Sequence, residues 1–256
     1  GRQIARDMRS MKIDVNFAPV VDVNLHPDVN TIKDRSFGPD KNLVADYGSA
    51  VMRGMQDGGV VACAKHFPGH GDTEVDSHKA LPVLKFPKER LDSVELYPFR
   101  RLIKDGVEMV MVGHLLVPVL DTLPASVSKV VVTDLLRKKM KFRGLIITDA
   151  LGMEGVLEPF GGSGAKATLA AYKAGVDILL MPDNVSESID LIVDYIGDDR
   201  RKLKDLDARV SRVLALKGKC GKLTGRDDLS VDPAAVDTKG TDALITTIEE
   251  TLAAGR

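Results

Sequence analysis

Five short apolar runs recur along the chain, and each is followed by polar loop chemistry and then by a segment of helical periodicity. Asp14–Val21 leads through a Pro/Asn/Asp-rich loop to a helix near Asn42–Asp57. Val60–Ala64 leads through a histidine-rich loop to a helix near Lys88–Asp105. Glu108–Val112 ends at Gly113-His114 and reaches a helix near Thr133–Met140. Leu145–Thr148 ends at Asp149, before a helix near Ala165–Ala174. Val176–Met181 ends at Pro182-Asp183-Asn184, before a helix near Ser186–Tyr195. Strands alternating with helices of roughly 10–15 residues specify βαβ units and a parallel sheet. Glycines stand where helices should stop ahead of strands, at Gly58-Gly59, Gly106, Gly144 and Gly175.

The polar residues with chemical potential follow the strands: Asp22, His66, His114, Asp149 and Asp183. That is the C-terminal rim, where both (β/α)₈ barrels and doubly wound sheets place their sites. No strand is followed by a G-x-G-x-x-G fingerprint, and there is no P-loop. The expected fold is therefore α/β, a TIM-type (β/α)₈ barrel. Five units are too few to close it, so the barrel is expected to be incomplete at the N-terminus. The first residues agree, because the chain begins without Met and already inside a helical pattern, with Ile4, Met8 and Met11 on one face of Arg2–Met11. Leu203–Lys219 reads as a final flanking helix. The expected division is a partial barrel domain at 1–222, then a linker and C-terminal helix at 223–256. The linker is the polar Gly225–Gly240 with Asp232-Pro233, and the helix is Asp242–Ala254.

Composition removes several classes of function. A net charge of −1 offers no electrostatic case for nucleic acid or an anionic membrane. Trp is absent and aromatics make up 4% of the chain, which argues against a stacking platform for single strands. No apolar run approaches the roughly 20 residues that span a bilayer. Cys63 and Cys220 lie far apart and read as two free thiols. Compartment stays open between a bacterial cytoplasm and a periplasmic or secreted site, since a leader would precede the first residue given. Oligomeric state stays open as well.

Chemistry concentrates in Lys65–His78, which reads KHFPGHGDTEVDSH. Three of the five histidines fall in these fourteen positions, with two aspartates and a glutamate. Pro68, Gly69 and Gly71 make it a loop. Three readings compete. His66, His70, Asp72, Asp76 and His78 have the side chains of a zinc or iron site, although the spacing is not H-E-x-x-H and a Gly/Pro loop does not pre-organise the ligands. A purely structural loop is the second. The third pairs Asp76 with His78, an aspartate that orients a histidine and raises its basicity, so that the imidazole donates a proton to a leaving group and later takes one from water. In that reading Asp149, at the end of a buried strand, is a carboxylate nucleophile. Its bland counterpart is the N-cap of the next helix.

Lys65–His78 closely resembles the KHFPGHG-D-T-x-x-DSH signature of bacterial β-N-acetylglucosaminidases of glycoside hydrolase family 3, the subgroup with an Asp-His dyad. The resemblance continues through Asn16–Asp22 (NFAPVVD), Arg35–Gly38 (RSFG), Glu95–Phe99 (ELYPF), Gly113-His114 and Gly144–Met153, over roughly residues 1–220. It implies a barrel enzyme, a retaining mechanism, and release of terminal β-linked N-acetylglucosamine from peptidoglycan fragments or chitooligosaccharides. Carried over by motif, Asp149 is the nucleophile, His78 the general acid/base and Asp76 its dyad partner. Lys65, His66 and Arg35 are substrate contacts. No cofactor or metal is implied, and the partner is a carbohydrate.

The same resemblance marks departures. The family's first βα units have no counterpart here, and Ala150 and Gly152 replace residues that are acidic, Ser or Asn in many relatives. A phosphorylase on the same scaffold is the alternative enzyme, and a catalytically silent sugar-binding fragment the alternative of another class. For the remaining groups, His114 is expected to line the site, His70 and Asp72 to shape the loop, Asp22 and Asp34 to cap turns, and His26 to be exposed.

Overall fold

In the computed structural model, residues 1–26, 32–71, 73, 81–221 and 237–254 are described. Helix α1 (Arg2–Ser10) precedes strand β1 (Val15–Asn16), a 3₁₀ turn at Lys33–Arg35, α2 (Lys41–Asp57) and β2 (Val61–Phe67). Then α3 (Lys88–Arg90) runs through a π-wound stretch, Leu91–Glu95, into α4 (Leu96–Lys104). After β3 (Met109–Val112) the helix Val130–Lys139 is wound as a π-helix, followed by β4 (Leu145–Thr148), α5 (Glu154–Leu157) and α6 (Gly164–Ala174). Helices α7 (Val185–Ile196), α8 (Arg200–Lys219) and α9 (Thr238–Ala254) complete the order.

The helices start where local chemistry supplies acceptors for their first N–H groups. The Asp40 carboxylate takes Asn42 N at 2.7 Å and Leu43 N at 3.3 Å, Ser163 caps α6, Asn184 caps α7 and Asp199 caps α8. Each such cap is worth about 1 kcal/mol.

The sheet is parallel, in the order β1-β2-β3-β4. Its two faces separate by parity. Ala62, Ala64, Val110, Val112 and Ile146 pack outward into a core with Met52, Met55, Phe99, Leu102, Leu135 and Leu136 of the helices. Val61, Cys63, Met109, Met111, Leu145 and Ile147 form a second cluster with Val15, Phe17 and Ile178. A sheet with helices on one face and a separate apolar layer on the other is an arc of a TIM-type barrel, and the second cluster is its interior.

Two expected strands differ from expectation. Asp14–Val21 is a regular strand only at Val15–Asn16, and it rejoins β2 at the bridge Val20↔Lys65. Asn16 pairs with Ala62, so four residue steps on β1 face three on β2, a bulge centred on Ala18-Pro19. Pro19 has no N–H to give a ladder. Val176–Met181 forms no strand beyond the bridge Ile147↔Ile178. There the Asp177 carboxylate takes Ile146 N–H at 2.8 Å and Thr148 Oγ1 takes Leu180 N–H at 3.0 Å, so side chains occupy positions that backbone carbonyls hold in a regular ladder.

Helix α8 crosses the foot of the arc. Arg209 donates to the Tyr172 and Val176 carbonyls, both at 2.7 Å, and Lys219 pairs with Glu108 at the start of β3. Val213, Leu216 and Cys220 pack against the lower interior layer. Helix α9 returns to α1, where Thr241 Oγ1 bonds Asp7 at 3.0 Å. The boundary expected at 222/223 falls in 222–236, outside the described residues. No described helix is long and apolar enough to cross a membrane.

Candidate active site

Parity along the strands decides what faces the top of the arc. In β2 the interior positions Val61 and Cys63 are followed by Lys65, and in β4 Leu145 and Ile147 are followed by Asp149. Lys65 and Asp149 are thus the next interior step above two apolar layers. Their charges feel one another: burial pulls the Lys65 ammonium below its usual range, Asp149 and Asp22 work against that, and Arg35 adds to it. Arg35 is exposed on the short turn Lys33–Arg35. Lys65, Asp149, Arg35 and the Asp22–His66 pair therefore share one neighbourhood.

Asp22 organises it. Its carboxylate is completely buried at the end of the β1 segment. It accepts the His66 backbone N–H at 3.1 and 3.2 Å, the His66 ring Nδ1–H at 2.8 Å and the His70 backbone N–H at 2.7 Å. Burial works to raise its pKa, but the His66 charge and ring bond, with the His70 charge and backbone N–H, outweigh it and hold the carboxyl below the usual carboxylate range. A capping aspartate was the expectation here. Instead one carboxylate ties two strand ends and the start of the loop together.

His70 is held from both sides. Its ring Nδ1 meets Thr73 Oγ1 at 2.6 Å, while the Thr73 hydroxyl donates to the His70 carbonyl at 3.1 Å, so Nδ1 carries the proton. Burial pushes its pKa down, with Asp22 working against it. The two glycines of the loop are required by packing. At Gly69, φ is +133° and a Cβ would lie 2.7 Å from Glu95 Cβ. At Gly71 a Cβ would lie 2.0 Å from the Val23 carbonyl oxygen. This explains the G-H-G spacing without reference to any ligand.

Asp149 and His114 meet through one residue. Asp149 Oδ1 accepts Ala150 N–H at 2.9 Å, and His114 Nε2 donates to the Ala150 carbonyl at 2.9 Å. A carbonyl only accepts, so Nε2 carries the hydrogen, and in the neutral ring Nδ1 accepts from the Ser126 hydroxyl at 2.7 Å. His114 is completely buried. Both of its ring nitrogens face protein groups, which places it behind Asp149 rather than at an open surface.

Asp76 and His78, and with them Asp72, lie outside the described residues. Among the described residues no three His, Cys, Asp or Glu side chains are grouped to hold a metal ion. His26 is exposed, as expected. The organising role of Asp22 and the pairing of His114 with Ser126 were missed in the sequence. The signals for Asp22 were its place at the end of an apolar run, shared by every other rim residue, and its position closing the Asn16–Asp22 segment, and neither named its partners.

Comparison with known proteins shows the family. Residues 1–216 match the glycosyl hydrolase family 3 N terminal domain, and the chain belongs to that family. It is 34% identical over 238 residues to beta-hexosaminidase A of Pseudoalteromonas piscicida, an alignment covering 84% of this chain and 40% of that protein. It is 36% identical over 187 residues to a beta-hexosaminidase of Methylobacillus flagellatus, covering 72% and 53% respectively. A family 3 beta-N-acetylglucosaminidase structure from Paenibacillus sp. superposes with a TM-score of 0.82 at 36% identity, over 91% of this chain and 46% of the other. The chain thus spans about half the length, or less, of these relatives.

Proposed function

We propose that this chain carries the reaction centre of a retaining β-N-acetylhexosaminidase that removes terminal β-linked N-acetylglucosamine from peptidoglycan fragments or chitooligosaccharides. The observation that carries the reading is the placement of Asp149 and Lys65 at matching interior positions, one step above the apolar layers of β4 and β2. Relatives named as hexosaminidases support the same choice.

In this account Asp149 attacks the anomeric carbon as His78 donates its proton to the departing glycosidic oxygen. The products of that step are a glycosyl ester on Asp149, the free aglycone alcohol and a neutral His78. His78 then takes a proton from water, the resulting hydroxide attacks the anomeric carbon, and the ester bond to Asp149 breaks. Most retaining glycosidases use two carboxylates for these roles, so an imidazole acid departs from the common pattern. Asp76 orients His78. Lys65 and Arg35 donate hydrogen bonds to sugar hydroxyls, and His66, whose Nδ1–H is given to Asp22, has Nε2 left for the sugar. Expected as a sugar contact, His114 is better suited to fixing the Asp149–Ala150 turn, because its nitrogens already face Ser126 and Ala150.

The test is product analysis with an aryl β-N-acetylglucosaminide, followed by NMR. Initial release of the β-anomer supports the retaining hydrolase, and initial α-anomer contradicts it. The same reaction in phosphate buffer separates a phosphorylase, which would yield the sugar 1-phosphate in place of the free sugar. No turnover at the protein's natural length would favour a sugar-binding role.

A further inference from the structure

At the foot of the arc, the opposite end from Asp149, Arg137, Lys138, Lys141, Phe142, Arg143 and Arg212 line a cavity of about 420 Å³. Five of these six residues are cations, in a chain whose net charge is −1. The volume falls within the range of small-ligand sites.

The cavity has a fixed floor and a free rim. Arg137 donates to the Phe142 carbonyl at 3.0 Å, the Gly144 carbonyl at 2.7 Å and Asp177 Oδ2 at 2.6 Å, and its guanidinium lies 5.6 Å from the centroid of the Phe142 ring. Arg212 reaches Asp177 Oδ1 through Nε at 3.0 Å and Nη2 at 2.7 Å. One buried carboxylate therefore serves two guanidiniums, and it also accepts Ile146 N–H at 2.8 Å. At the rim Lys138 pairs with Asp134 at 2.8 Å, whereas exposed Lys141 and Arg143 form no ion pair among the described residues. Lys141, with φ +57°, takes the left-handed conformation common just past a helix end, here that of Val130–Lys139. Burial, with the charges of Arg212 and Arg209, lowers the Arg137 pKa against the pull of Asp177.

We infer that this cavity binds a small multivalent phosphate, either a diphosphate or a phosphate monoester. A guanidinium fork such as that of exposed Arg143 matches phosphate oxygens, and a floor already held in place by Asp177 loses little freedom when the ligand arrives. The cationic side chains of the lining are hydrogen-bond donors only, and a phosphate presents several charged acceptor oxygens to them. The binding is independent of the chemistry at Asp149.

Calorimetry on the protein at its natural length, with pyrophosphate, inorganic phosphate and glucosamine 6-phosphate as separate titrants, tests this. Saturable binding of pyrophosphate or of the ester is expected, and whichever is tighter identifies the source. K141E/R143E should weaken it by about tenfold or more, with glycosidase rate unchanged. R143A, a milder change at an exposed position, should weaken it measurably and keeps the test readable if the double variant fails to fold. Heat that never saturates, an affinity unaltered in both variants, or displacement of pyrophosphate by N-acetylglucosamine would overturn the assignment.

Discussion

Asp22 holds His66 at two points, accepting both its backbone N–H and its ring Nδ1–H, the latter at 2.8 Å. One buried carboxylate thus fixes where Lys65-His66 ends and how the imidazole is turned. Asp22→Asn keeps the shape but offers its NH₂ to donors that need an acceptor. It should cost about 2–4 kcal/mol in urea unfolding at pH 7 and lower turnover. The pH dependence gives a second readout. A carboxyl held below its unfolded value contributes stability in full above about pH 4, and that share is lost as the pH falls through the folded pKa. The gap between wild type and Asp22→Asn should therefore narrow toward pH 3. His70, pushed down by burial, costs both proteins stability as the pH drops below about 6.5. A gap that stays constant from pH 7 to pH 3 would remove Asp22 from this role.

Gly71 leaves no room for a side chain, since its Cβ would lie 2.0 Å from a backbone oxygen of Val23. Backbone cannot yield as a flexible side chain would. Gly71→Ala should lower stability by more than about 2 kcal/mol and displace the loop that leads to Asp76 and His78. Thermal unfolding and steady-state kinetics on one preparation check it. Unchanged stability would mean that the loop does not pack on Val23.

The elements that were legible are those whose signals are local. Helix α2 begins at an Asp cap and ends before Gly58, and its expected range, Asn42–Asp57, lies one residue from the observed Lys41–Asp57. The rest depended on distant partners. Whether Val176–Met181 completes a ladder turns on the Asp177 and Thr148 side chains reaching backbone groups on the neighbouring segment, which periodicity does not encode. Gly144, expected to end a helix, has no positive φ. It is needed because a Cβ would lie 2.3 Å from the Glu108 carbonyl. At the rim, Asp149 was legible from its place at the end of an apolar run, and Lys65 from the motif. Asp22 was not, because its partners lie 44 and 48 residues away.

The Ala150 carbonyl holds the His114 proton on Nε2, and Ser126 gives its hydroxyl to Nδ1 on the far side of the ring. Ser126→Ala leaves Nδ1, a buried acceptor, without its donor and removes the contact that holds the ring against the Ala150 carbonyl. The expected result is a fall in kcat of about tenfold with KM nearly unchanged, and recovery in Ser126→Thr. A rise in KM with kcat intact would return His114 to the sugar-contact role.

His78 lies outside the described residues, so its role is tested by reactivity. His78→Ala should keep glycosylation fast for aryl glycosides with good leaving groups, which need no proton, and lose it for poor ones by about 10²-fold or more. Equal loss across leaving groups, followed by stopped-flow release of the phenol, would count against an acid role.

The proposed mechanism requires a covalent intermediate on Asp149. A 5-fluoro-N-acetylglucosaminyl fluoride tests it most directly, because it keeps the 2-acetamido group while slowing breakdown of the ester. Digestion and mass spectrometry should find one glycosyl adduct per chain, on the peptide containing Asp149, and none in Asp149→Asn. An adduct on any other carboxylate, or steady consumption of the reagent with no adduct trapped, would contradict the account.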